Sequence, residues 1–220
     1  MTPAGFVERL AAVGMPDVFN PWSDVCADHD VPDAPSVRRS NLISVLEAAV
    51  ASGVDAIWVA RDLGYRGGRR TGVAMTDEAH LPNAARLYGG IPVSRATRGP
   101  VVVERTATIV WRTIEEVGRP VLLWNVFPLH PHAPGRPLSN RCHTRRERLA
   151  FGPLLADLLA LVRPATVVAI GRDAQSGLME LGVASSAVRH PSYGGQAEFR
   201  AGVLALHGIE ARSPQRELPV

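Results

Sequence analysis

Apolar positions along this chain fall into two alternating patterns. Helix-spaced stripes run through residues 3–13, with Phe6, Leu10 and Val13 on one face, and through 36–52, with Leu42, Val45, Leu46, Ala49 and Val50. A third covers 103–117, where Val103, Ala107, Val110, Trp111 and Ile114 share a face. Between the stripes lie short, unbroken apolar runs: Ala56-Ile57-Trp58-Val59-Ala60, Val121-Leu122-Leu123-Trp124, residues 166–170 and residues 186–188. Runs of that length, closed by polar or glycine positions, read as buried parallel strands. Ser36 is expected to cap the second helix. Thr144 and Glu147 have capping-box spacing and open a helix expected to last to Val162. Helices at 174–181, with Met179 facing the core, and at 196–206 complete the set. The alternation predicts an α/β fold: one domain over residues 1–220, with a four-stranded parallel sheet flanked by helices and right-handed crossovers.

The segments between are less regular. Residues 1–35 are expected to wrap the surface around the first short helix, with Asn20-Pro21-Trp22 as a turn, and 208–220 to fray. Residues 61–100 show no periodicity, and 126–143 are dense in proline and histidine. Long irregular segments in a compact domain are often functional.

Composition narrows the class. With 220 residues and 46% apolar content the chain can build a real core. No run of about 18 apolar residues is present, so no membrane span is expected. The N-terminus lacks the blocks of a signal peptide. Two cysteines, Cys26 and Cys142, are too few for a disulfide framework or an all-cysteine cluster. The expectation is a monomeric, reduced, cytoplasmic protein without membrane association. All 24 basic residues are arginines. Codon composition can explain that bias, but the arginines crowd two loops, at 61–70 and 136–148, and guanidinium groups pair well with phosphate. His130, His132 and His143 invite a metal reading with Cys142, yet they read more simply as solvated loop histidines.

Candidate chemistry sits at the strand ends. Asp62 follows the first strand, Asn125 the second and His190 the fourth, so a parallel sheet would gather them along one edge. Asp62 could orient or deprotonate a water. The Asn125 amide suits the paired acceptor and donor of a nucleobase edge. His190 could hydrogen-bond an oxygen on which negative charge develops. That inventory serves hydrolysis of an N-glycosidic bond.

Here the chain resembles the uracil-DNA glycosylase superfamily over roughly residues 15–206. His190-Pro191-Ser192 is similar to the superfamily's second motif, and Asn125 to the residue that reads uracil. Val59-Ala60-Arg61-Asp62-Leu63-Gly64 lies where family 1 enzymes carry Gly-Gln-Asp-Pro-Tyr-His. The resemblance implies excision of uracil from single- or double-stranded DNA by base flipping, without metal or cofactor. Asp62 and His190 would be catalytic, and Asn125 would read the base. Met75 falls near the stacking position. Ser192 would hold a phosphate, Arg66 would contact the DNA backbone, and Tyr193, Gly194 and Gln196 would lie in the loop that enters the duplex. The chain departs from family 1 at Gly64, where a tyrosine excludes thymine's methyl group, and Tyr65 is the expected substitute. It also lacks the cysteines of the iron–sulfur branches. Excision of hypoxanthine or xanthine, and DNA binding without catalysis, are the alternative readings.

Overall fold

The central sheet has the order β3-β2-β5-β6 with every pair parallel. Its strands are β2 (Ala56–Asp62), β3 (Val121–Phe127), β5 (Thr166–Ile170) and β6 (Ser186–Val188). In the computed structural model, residues 1–210 are described. Helices cover both faces because residues 56–60 of β2 and all of β3 but Asn125 are apolar and would otherwise expose one side. Trp58 meets Phe199 edge-on, with ring centroids 6.2 Å apart, while Trp124 lies against Phe6 at 5.7 Å. Val59, not Trp58, is the register partner of Trp124, so the two indoles lie on opposite faces. Helices α1 (Pro3–Ala11), α2 (Ala34–Ser52) and α7 (Gly152–Val162) pack together on the Trp124 side. On the Trp58 side α5 (Arg105–Val117) packs against α9 (Gln196–Leu206).

The remaining elements are short. They are α3 (Gly68–Thr71), a 3-10 turn at Glu78–His80, α4 (Leu81–Leu87), α6 (Arg145–Ala150) and α8 (Arg172–Glu180). Strands β1 (Val18–Phe19) and β4 (His130–Pro131) form a separate antiparallel pair.

Several expectations need correction. The second helix begins at Ala34, with Asp33 as its N-cap, so Ser36 is an interior residue. Its Val50 is exposed, as are Val103, which precedes α5, and Met179 on α8. One helix was expected from 145 to 162. Two form, because Phe151-Gly152-Pro153 breaks the run and Pro153 cannot continue the hydrogen bonding of α6. Residues 61–100 are not wholly irregular, since α3, the 3-10 turn and α4 fall inside them. The N-terminal segment does not merely wrap the surface: Phe19, Asn20, Trp22 and Asp30 are all buried. In the expected frayed tail, Ile209 folds back so that its N–H donates to Leu204 O at 2.9 Å. Residues 211–220 of that tail lie outside the described residues.

Charge is buried here too. Arg38 is fully enclosed and pairs with Asp30, while its Nε donates to Arg70 O at 3.1 Å. Arg69 stacks its guanidinium 3.9 Å over the Phe19 ring and donates to His130 Nδ1 at 3.1 Å. Because Arg69 can only donate, His130 Nδ1 is unprotonated and Nε2–H donates to Ser139 O at 2.9 Å. Burial and the Arg69 charge hold the His130 pKa down to about 3. The sign follows: below its ordinary value near 6.5 the unfolded chain takes up a proton that the folded chain refuses. Unfolding free energy is therefore expected to fall by about 2 kcal/mol between pH 7 and pH 5 from this residue. Urea midpoints across that range measure it, and an unchanged midpoint would contradict the assignment.

Candidate active-site cleft

The sheet's carboxyl edge opens into a cleft of about 830 Å³, room for a nucleotide rather than a bare ion. Asp62, Met75, His190, Ser192 and Tyr193 line it together. Asp62 ends β2, which runs two residues beyond the apolar stretch, so the carboxylate stands on a rigid strand rather than in a loop. Its side chain is 6% exposed. Arg61 Nε donates to Oδ2 at 2.6 Å, and Arg61 Nη1 reaches on to Asp173 at 2.8 Å.

The other Asp62 oxygen accepts from His143 Nδ1. Arg148 Nη1 donates to His143 Nε2 at 3.2 Å, which leaves the imidazole proton on Nδ1, aimed at Asp62. Arg148 is itself paired with Glu180. A connected chain, Glu180–Arg148–His143–Asp62–Arg61–Asp173, thus fixes the carboxylate from both sides. His143 is not a solvated loop histidine, since its side chain is 3% exposed. Sequence reasoning missed its role because its partner lies 81 residues away. Among the described residues no cluster of metal-ligating side chains forms.

His190 is placed by glycines. A Cβ on Gly171, whose φ is +86°, would stand 3.0 Å from His190 Cβ, and one on Gly195 would overlap the His190 carbonyl. Ser192 N–H donates to His190 Nδ1 at 3.1 Å, and Ser192 Oγ lies 2.6 Å from the same nitrogen. Nδ1 is therefore an acceptor and Nε2 carries the proton. Burial and the nearby Arg61 charge lower the His190 pKa, which keeps the ring neutral at pH 7.

Asn125 is not a strand-end residue. Val126 and Phe127 prolong β3 past it, and its side chain is buried rather than on the open cleft wall. It sits in register with Ala60, which does line the cleft. Neither Asn125 Oδ1 nor Nδ2 has a hydrogen-bond partner among the described residues. Leaving both ends of a buried amide unpaired costs on the order of 1–3 kcal/mol each.

The other expected residues divide. Met75 is buried, and its φ of +49° is uncommon for a side chain of that size. Tyr193 is 97% exposed at the tip of the 190–195 loop, with φ +53°. Tyr65, Arg66, Gly194 and Gln196 do not line the cleft. Tyr65 is tied by its N–H to Asn140 Oδ1 at 3.2 Å.

The two arginine-rich loops are also not what charge counting suggests. Arg69 and Arg70 are buried, and Arg141, Arg145 and Arg148 pair with Glu147 or Glu180. The rim instead carries Arg172 and Arg189, both exposed and neither singled out by the sequence. Glu104, equally unforeseen, enters the cleft from the residue preceding α5.

No family model matches this chain. No curated protein shows significant sequence similarity to it. Its fold is similar to that of wild-type SMUG2 from Pedobacter heparinus, seen in a crystal structure. The TM-score is 0.58 at 15% identity, over 94% of this chain and 99% of that one. SMUG2 belongs to the uracil-DNA glycosylase superfamily, and the likeness establishes a uracil-DNA glycosylase-like fold.

Proposed function

We propose that this uracil-DNA glycosylase-like fold serves a DNA glycosylase that removes uracil and leaves an abasic site. The observation that carries the reading is Asn125, a buried amide with an unused donor and an unused acceptor beside the cleft. A uracil edge supplies their complement: N3–H donates to Oδ1, and O4 accepts from Nδ2. Cytosine reverses both groups. A flipped-out base would enter beside Met75, and Tyr193 is the side chain free to fill the gap left in the helix. Arg172 and Arg189 on the rim suit the flanking phosphates.

In the reaction the N1–C1′ bond breaks and its electron pair stays on the base. A water oxygen bonds to C1′ and loses its proton to solvent. Asp62 is already held by Arg61 and His143, so it acts mainly as a fixed negative charge beside the cationic sugar and as an acceptor for that water. His190 Nε2–H donates to O2 as the base departs.

The test is an excision assay on uracil-containing single- and double-stranded oligonucleotides without added metal. Absence of abasic product would overturn the reading. Within it, Asn125→Asp is expected to lower uracil excision at least tenfold, because a carboxylate cannot donate to O4. Unchanged selectivity between uracil and cytosine in that variant would remove Asn125 from base reading.

A further inference from the structure

We propose that Glu104 is the specificity-determining residue of this cleft, its carboxyl closing the base pocket over Gly64 and Gly67 against pyrimidines with a methyl group at C5. The proposal rests on the uracil reading and adds to it the residue that sets the pocket's size.

Glu104 is anchored by its backbone. Its N–H donates to Asp77 Oδ2 at 2.5 Å, and Asp77 is itself fully buried, accepting from His80 N–H at 2.9 Å. From there the side chain crosses onto the turn that follows β2. A Cβ on Gly64 would lie 2.9 Å from Glu104 Oε1, and one on Gly67 would overlap Oε2. A side chain at either position would have to push the carboxyl out of this place. The carboxyl therefore occupies the space that a side chain on the turn after β2 would otherwise fill. Tyr65, the neighbour expected to do so, is off the cleft.

The carboxyl has no fixed protein partner and faces the open cleft. Asp30 has Arg38, and Glu78 has Arg70, Thr97 and the Val102 N–H. Neither Glu104 oxygen has a hydrogen-bond partner among the described residues. Burial and the Asp77 carboxylate across from it push its pKa up to about 7, with Arg66 pulling the other way. The group thus changes charge near neutrality within the cleft.

Ring geometry connects this carboxyl to C5. With C1′ at Asp62 and O2 at His190, C5 lies across the ring from C2 and points away from His190. In the sheet β2 is separated from β6 by β5, and Glu104 packs on Gly64 and Gly67 of the turn that follows β2, which sets it on the side of the cleft away from the strand that leads to His190. Hydrogen at C5 leaves that side undisturbed. A methyl group must displace the carboxyl or desolvate it without compensation.

The experiment compares uracil and thymine opposite guanine, from pH 6 to 9, for the wild type, Glu104→Ala and Glu104→Gln. Glu104→Ala is expected to raise the thymine-to-uracil ratio of kcat/KM at least tenfold, with uracil excision changed only a few-fold. Glu104→Gln keeps the size and the wild-type ratio. It should lose the decline in uracil excision expected of the wild type above pH 7, where the ionised carboxylate opposes the departing anion. A wild-type ratio in Glu104→Ala overturns the proposal. If that variant does not fold, an alkaline decline in Glu104→Gln equal to the wild type's overturns it instead. A wild type inactive on uracil is seen before any variant is compared; it fails the uracil reading and this proposal with it.

Discussion

Asp62→Asn is expected to slow uracil excision about a hundred- to ten-thousand-fold while DNA affinity changes only a few-fold. The substitution is nearly isosteric. Asn Oδ1 can still accept from His143 Nδ1–H, which holds the side chain in place, while its Nδ2 faces the Arg61 Nε–H and that hydrogen bond is lost. What disappears is the negative charge facing the sugar as it becomes cationic. Arg61 then meets an amide instead of a carboxylate, and its charge, offset by Asp173 alone, adds to the repulsion of the sugar. A measured rate within tenfold of the wild type would mean that another group handles the water. Binding to an oligonucleotide with an uncleavable uracil nucleotide provides the control. Affinity there should hold or rise slightly, since removing a carboxylate from the cleft lessens repulsion of phosphate.

How much of this was legible beforehand depends on the range of the interactions concerned. Residues 166–170, 186–188 and 196–206 form elements with the expected bounds, because each is a local run closed by glycine, proline or a change of period. The four-stranded parallel sheet follows from their alternation with helices, and it is what the structure shows. Pro82, at the start of α4, and the shortness of that helix hid it in a segment that has no stripe. Asn125 looked like a strand terminus because a polar residue interrupts an apolar run, whereas Val126 and Phe127 continue the pairing.

Burial of charge was the least legible property. Arg69 and Arg70 belong to a loop that reads as phosphate-facing, yet both are enclosed, Arg69 against His130 far along the chain and Arg70 against the nearby Glu78. The same holds at the cleft. His143 stands directly before a capping threonine and Glu104 directly before an amphipathic helix, so each has a local explanation that conceals its contact, with Asp62 for the first and with the turn after β2 for the second. A hint existed only for Glu104. Two glycines spaced three apart after a strand imply that something packs against the turn, though not what.

His190→Ala is expected to lower kcat for uracil about a hundred- to a thousandfold, the usual effect of losing one donor aimed at developing negative charge. The argument rests on the tautomer. Ser192 N–H occupies Nδ1, so the only proton His190 can offer is on Nε2, and the lowered pKa keeps the ring from carrying a second one at neutral pH. A neutral donor stabilises the uracil anion without binding the neutral ground-state base as strongly, which is the condition for acceleration rather than mere affinity. That condition can be tested through the leaving group. A 5-fluorouracil anion is intrinsically more stable and needs less assistance. The deficit of His190→Ala should therefore be smaller on 5-fluorouracil than on uracil, by about tenfold or more if most of the effect acts on the anion. The comparison is made at constant pH in single-turnover assays, so that product release does not mask the chemical step. Equal deficits on the two bases would assign His190 to shaping the loop that ends in Tyr193 rather than to stabilising the leaving group.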